Sequence, residues 1–167
     1  MVTIGGMIAS DVHGKNHHGA GSFCDHVEWL DLDMGDGTVR RCSAQENADL
    51  FAATCGGMGL TGVIVRACVR LLPIESAYMR QRTIRVPDLD AALAMFEEAQ
   101  AATYSVAWID CMARGSSLGR SVILLGEHAR RYELDARRRA APLARLLRKP
   151  KTVPIDFPEF ALSGFNV

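Results

Sequence analysis

Leu30 and Leu32 alternate with Asp31 and Asp33 in the segment HVEWLDLD, so residues 26–33 are predicted to carry a strand with one apolar and one acidic face. Gly35-Asp36-Gly37 is a strong turn signal, and residues 38–42 are predicted to return as the partner strand. Ser43 followed by Glu46 reads as a capping box that opens a helix running to about Thr54, with Leu50, Phe51 and Ala53 among its apolar positions. Gly56-Gly57 should stop it. From Val63 to Leu72 the pattern alternates again. Val63, Val65, Ala67, Val69 and Leu71 are predicted on one face, and Arg66 and Arg70 on the other, with Pro73 ending the strand. Residues 2–9 read as a short strand or extended lead-in.

The second half repeats the alternation of periods. Residues 82–86 are a candidate strand, Pro87-Asp88 a helix start, and residues 89–101 an amphipathic helix with Leu89, Leu93 and Phe96 on one side. Residues 104–111 and 121–125 read as strands. The arginine-rich segment after Gly126 is predicted helical to Leu147, and the proline-punctuated tail from Pro150 irregular. There are no internal repeats. The resulting fold class is α+β, mainly antiparallel sheet with flanking helices, in two regions divided near residue 75.

Composition narrows the setting. A chain of 167 residues with 49% apolar content and a mean hydropathy of +0.05 can bury a core, and holds one domain or one and a half. No apolar run is long enough to span a membrane, and Met1 leads into a glycine turn where a signal peptide would need an apolar core. Five cysteines without a CxxC pair argue for reduced thiols and a cytoplasmic setting, with periplasmic or membrane-associated locations as alternatives. Zero formal charge gives no general pull towards nucleic acid. The zero hides an asymmetry. Arg130, Arg131, Arg137, Arg138, Arg139, Arg145, Arg148, Lys149 and Lys151 face only Glu133 and Asp135. The plain reading is a solvated helix face; the sharper one is peripheral contact with anionic lipid or a polyprenyl-phosphate substrate.

The chemistry concentrates in residues 3–23, TIGGMIASDVHGKNHHGAGSF, which hold five glycines, three histidines and one lysine. Glycine at that density lets backbone approach a flat or charged group. If the chain is extended there, Asp11, His13 and Lys15 point to one side. His13-x3-His17, with Asp11 or His26 as a further ligand, would suit zinc on a helix, but Gly14, Gly19 and Gly21 oppose a helix, and no metal is expected. Gly57-Met58-Gly59-Leu60-Thr61-Gly62 is a literal GxGxxG. It follows a helix and opens a strand, the reverse of the dinucleotide fingerprint, so it is read as tight backbone packing. No cysteine has a histidine and acid at a spacing that would mark a nucleophile, and most should be small core residues.

The string GG-x-I-A-x-D-x-HGKNHH-x-AGSF resembles the FAD-binding core of the decaprenylphosphoryl-ribose 2-oxidase family, within the vanillyl-alcohol-oxidase and aldonolactone-oxidase superfamily of FAD-linked oxidases. The resemblance continues through DLFAATCGGMGLTGVIVRA, more weakly through YSVAWIDCMARGSSLGR, and thins out after about residue 126. It implies that residues 1–75 are the C-terminal lobe of a PCMH-type FAD-binding domain and residues 76–167 the beginning of a substrate domain. Family members carry another FAD-binding lobe before this region and a long continuation after it. The chain is therefore expected to be an internal piece that alone binds FAD weakly and turns nothing over.

The same resemblance implies site residues. Thr3, Ile4, Gly5, Gly6, Ser10, Asp11, Val12, His13 and Ile64 fall where the family contacts FAD. Lys15 matches an active-site lysine, a fixed cation near flavin and substrate, and His13 would orient either. Trp108 would line the substrate pocket. Ser10 stands where the family offers cysteine, and Val106 where it offers a small polar residue. The plainer readings are a solvated Lys15, a His13 satisfied by backbone and a sheet-packed Trp108; His17 and His18 should support the loop. The implied reaction is FAD-dependent oxidation of a sugar hydroxyl, the 2-hydroxyl of a polyprenylphosphoryl ribose, in cell-wall arabinan precursor synthesis. A separate short-chain reductase would complete the epimerisation. The alternatives are an aldonolactone oxidase of the D-arabinono-1,4-lactone type, acting on a sugar lactone, and a non-catalytic remnant or binding module.

Overall fold

A computed structural model describes residues 2–144, and the chain forms two compact units that divide between Pro73 and Ile74. The first unit contains α1 (Ile4–Ala9), α2 (His17–Ala20), β1 (Val27–Asp33), β2 (Val39–Cys42), α3 (Ala48–Thr54) and β3 (Val63–Val69). The strands form an antiparallel sheet in the order β2-β1-β3. Leu30 and Leu32 are fully buried from the central strand, and Ile8, Val27 and Cys42 complete the core. Gly35 and Gly37 take positive φ in the β1–β2 turn, and the Asp33 and Asp36 carboxylates accept the Gly35 and Thr38 N–H groups at 2.9 and 2.8 Å.

Three expectations for this unit change. The segment read as an extended lead-in is helical: the Thr3 hydroxyl accepts the Gly6 N–H at 3.1 Å and caps α1. Glycine and β-branched residues disfavour such a short helix, and packing of Ile8 into the core overrides them. Ser43 caps a turn ahead of α3. Its hydroxyl accepts the Gln45 and Glu46 N–H groups, and the helix starts only after Asn47, which sits at φ 48°. In β3 the register shifts between Asp31 and Leu32, which pair with Arg66 and Ile64, leaving Val65 as an extra residue. That bulge turns the alternation over. Ile64, Ala67 and Val69 pack on the core, while Val63 and Val65 are exposed, as is Leu71 beyond the end of the strand. The outer face of the sheet holds a buried carboxylate: Asp31 accepts from Arg41 at 2.8 Å and Arg66 at 2.9 Å, and the Arg41 guanidinium lies 3.9 Å from the centre of the Trp29 ring.

The second unit contains β4 (Met79–Val86), α4 (Leu89–Glu98), β5 (Tyr104–Ile109), β6 (Ser121–His128) and α5 (Ala136–Ala140). Its antiparallel sheet runs β4-β6-β5. The Asp88 carboxylate accepts the Ala91 N–H at 2.8 Å and caps α4, as Pro87-Asp88 suggested. The helix packs through Ala92, Met95, Phe96 and Ala99 onto Val86, Ile123 and Leu125. Leu89 and Leu93, expected on that face with Phe96, are exposed. Over its described residues the arginine-rich segment, expected as a helix to Leu147, breaks into a 3-10 turn at Arg131–Glu133 and the five residues of α5. Much of its charge is used locally. Arg130 pairs with Glu75, Arg138 with Asp135, and Arg139 donates to the Tyr132 and Leu134 carbonyls. Arg145, Arg148, Lys149, Lys151 and the tail lie outside the described residues. Both sheets are antiparallel and flanked by helices, so the α+β fold class holds.

Candidate functional site

The loop after α1 is built around one carboxylate. Asp11 takes φ 39°, which ends any simple alternation with His13 and Lys15. Its two oxygens accept the Ser22 hydroxyl and the Cys24 N–H, each at 2.9 Å. The Phe23 N–H donates to the Val12 carbonyl at 2.9 Å, and His13 bridges Ser22 as an isolated antiparallel pair. Residues 12–23 are thereby closed into a ring whose tip carries His13, Lys15, His17 and His18. Partial burial works to raise the Asp11 pKa, but the Cys24 N–H and the Ser22 hydroxyl win and hold it below the usual carboxylate range. A depressed pKa means that the stabilisation is complete above the unfolded value, about 3.9, and is lost as pH falls through the folded value. The amide of Cys24 is therefore expected to keep its hydrogen-exchange protection at neutral pH and to lose it only as pH falls below the usual carboxylate range, through the depressed pKa of Asp11. In Asp11→Ala that protection should be gone at every pH; pH-independent protection in the unaltered chain would refute the role of Asp11.

A second segment clamps α1 from the other side. Gly56 and Met58 donate their N–H groups to the Ile8 and Ala9 carbonyls at 3.0 and 2.8 Å, satisfying the C-terminal end of the helix. Gly57 between them sits where a Cβ would collide with the Ala53 carbonyl oxygen. The GxGxxG pattern therefore serves close backbone packing before β3. Gly5 lies against β3, its would-be Cβ 4.0 Å from the Ile64 Cβ, so two candidate cofactor residues far apart in sequence become neighbours. At Gly6 a Cβ would come within 3.0 Å of the Thr3 hydroxyl and crowd the cap. The Ser10 hydroxyl reaches the Met58 sulfur at 3.9 Å.

Thr3, Ile4, Gly5, Gly6, Ser10, Asp11, Val12, His13 and Ile64 all belong to this one unit, around α1 and the start of β3. Lys15 is exposed and has no ion pair among the described residues. The His13 and His17 rings stand 4.7 Å apart, and the Nδ1 of His17 lies 3.1 Å from the Gly14 carbonyl oxygen. Trp108 is in the second unit, on β5, 72% exposed. Sequence reasoning missed Ser22, Cys24, Gly56 and Met58, the groups that hold the site together; contacts made by loop closure leave no periodic signal. Among the described residues no group of three or more His, Cys, Asp or Glu is placed to hold a metal. Burial, with Cys55 and Asp11 beside it, pushes the Cys24 thiol up, and burial pushes Cys42 up to about 11, so neither is a thiolate nucleophile at neutral pH.

These residues fit a flavin. A side-chain-free stretch at Gly5 and Gly6, an exposed Ile4, and a loop carrying one exposed lysine suit a flat ring with an anionic reduced form.

Residues 1–43 match the FAD binding domain family. Along 99% of its length the chain is 40% identical to a decaprenylphosphoryl-β-D-ribose oxidase of Mycolicibacterium smegmatis, covering 36% of that protein. It is 40% identical over 86% of its length to an uncharacterised protein of Streptomyces coelicolor, covering 39% of it. Cytokinin dehydrogenase 5 of Arabidopsis thaliana is 37% identical over 59% of the chain and is covered for 17% of its own length. The chain thus spans little more than a third of the first two of these relatives. Over nearly the whole of its own length the chain is thus similar to one FAD-linked oxidase, and its first 43 residues carry the FAD binding domain pattern.

Proposed function

We propose that residues 1–75 form one wall of an FAD site and residues 76–167 part of a substrate domain, in an oxidase acting on the 2-hydroxyl of a polyprenylphosphoryl ribose. The observation that carries the reading is the exposed Lys15–His13 loop, closed by Asp11, inside the residues that match the FAD binding domain. Thr3, Ile4, Gly5, Gly6, Ser10, Val12 and Ile64 contact the cofactor through backbone and short side chains. Asp11 acts by holding the loop closed. Bound FAD supplies the hydride acceptor that converts a sugar hydroxyl to a ketone. Lys15 holds a positive charge beside the ring and the anionic substrate, and His13 orients the group it faces. A short-chain reductase would act next on the ketone. A cytoplasmic setting is supported by the odd, unpaired pattern of cysteines. Peripheral membrane contact is supported by Arg131 and Arg137, whose side chains have no ion pair among the described residues.

A chimera tests the reading. Residues 1–167 replace the matching third of the mycobacterial oxidase, and the purified protein is examined for flavin and for turnover of decaprenylphosphoryl ribose. Bound FAD at one per chain with ribose oxidation is the expected result. A soluble, folded chimera without flavin would overturn the proposal, and oxidation of an aldonolactone alone would replace the substrate.

A further inference from the structure

In the second unit the sheet outruns the helix that covers it. α4 follows β4 through Pro87-Asp88 and runs back along it, but its ten residues span about 15 Å, against about 27 Å for the eight of β4. Alternation along β4 puts Arg80 and Arg82 on the face of Ile84 and Val86, which pack with α4. Arg82 pairs with Leu125 and Arg80 with Glu127, at the end of the sheet where the helix stops. A cavity of about 620 Å³ lies there, floored by Leu125, Ala99 and Ala102. Four charged side chains line it, Arg80, Arg82, Glu98 and Glu127, two of each sign. Two of them are committed. Arg80 donates to Glu133 at 2.8 Å, and the Glu127 carboxylate accepts the Thr103 N–H at 2.7 Å and the Thr103 hydroxyl. The exposed side chains of Arg82 and Glu98 have no hydrogen bond or ion pair among the described residues.

One cation and one anion are thus left over in a single cavity with an apolar floor. A guanidinium holds a carboxylate through two parallel N–H···O bonds. Glu98 stands in the last turn of α4, whose carbonyl end carries partial negative charge, and both favour an ammonium group. A ligand of one sign would be repelled by one of the two; a ligand carrying both charges is attracted by each. We propose that this cavity binds a zwitterion with an aliphatic body, an α-amino acid or short peptide, its carboxylate on Arg82, its ammonium on Glu98 and its side chain on Leu125, Ala99 and Ala102. The volume is that of a small-molecule site, about 300–1,000 Å³. The site lies within the second unit and does not rest on the oxidase reading.

Amide-resonance NMR titration of the whole chain with leucine, leucyl-leucine, N-acetyl-leucine and leucinamide tests it. The two zwitterions should bind saturably and shift the amides of Ala99, Ala102 and Leu125. The blocked forms, each lacking one charge, should bind about 5- to 30-fold more weakly, between the loss of an exposed ion pair and that of a hydrogen bond to a charged group. Glu98→Gln should weaken the zwitterions by the same factor and not weaken N-acetyl-leucine; Arg82→Gln should weaken them equally and not weaken leucinamide. Both side chains are exposed, so the melting curve should not move. Tighter binding of leucyl-leucine than of leucine assigns the site to peptides, and the reverse order to free amino acids. Equal binding of zwitterion and blocked forms, unchanged zwitterion affinity in either variant, or no saturable binding would each overturn the site.

Discussion

Replacing Lys15 by methionine in the chimera should lower kcat by about 100- to 1,000-fold, the usual loss when one preorganised charge-stabilising group is removed from a reacting centre, while FAD stays bound. Lys15 is exposed and makes no ion pair among the described residues, so its removal takes nothing from the fold. Its loop is held by Asp11, Ser22, Cys24 and the Phe23–Val12 hydrogen bond, none of which the substitution touches. A loss of turnover with an unchanged melting curve and an unchanged flavin spectrum in the oxidised state therefore isolates the electrostatic role. Arginine at the same position should recover part of the rate, because it keeps the charge while spreading it over a larger planar group. Full activity in Lys15→Met would show that the lysine is merely solvated.

The largest structural effect is expected from Leu30→Ala, at about 2–5 kcal/mol of destabilisation. Leu30 is fully buried on the central strand, paired with Cys42 of β2 on one side and Ala67 of β3 on the other, in the cluster that includes Ile8. Truncation leaves a cavity that three elements would have to move together to fill. Because Ile8 is the anchor of α1, the loss should be felt at the glycine wall as well as in the melting curve. Urea unfolding followed through Trp29, on the same strand, reads the first effect, and FAD retention in the chimera reads the second. A shift below about 1 kcal/mol would mean that the site collapses readily and that the core is more plastic than its packing indicates.

The two large predictions differ in how visible their residues were. Leu30 was marked by alternation with Asp31 and Asp33, a local pattern that one buried face imposes on a strand. Lys15 was marked only by the string around it; no periodicity distinguishes it from a surface lysine. Where local pattern and structure part, the cause is a contact from elsewhere in the chain. The β3 alternation put Val63 and Val65 inward, and the bulge opposite Asp31 and Leu32 turned them out. Leu89 and Leu93 looked like the inner face of α4, yet the sheet is met by the smaller stripe Ala92, Met95, Phe96 and Ala99, because small residues allow the helix to lie close. Residues 2–9 read as a short strand or extended lead-in, and residues 4–9 are helical because the Thr3 cap, the Ile8 core contact and the Gly56 and Met58 donors satisfy both ends.

By itself the sequence determined the α+β class, the β1–β2 turn, the likeness to FAD-linked oxidases and the residues to suspect around Lys15. These follow from short-range physics, periodicity and turn chemistry, or from an unbroken string of residues. Tertiary structure alone decided that Asp11 is the clasp of the loop, that Gly5 lies against Ile64, and that β3 carries a bulge. Each of those depends on register or closure between segments distant in the chain. Such contacts are set by which buried surfaces fit, and the one-dimensional pattern does not encode that fit.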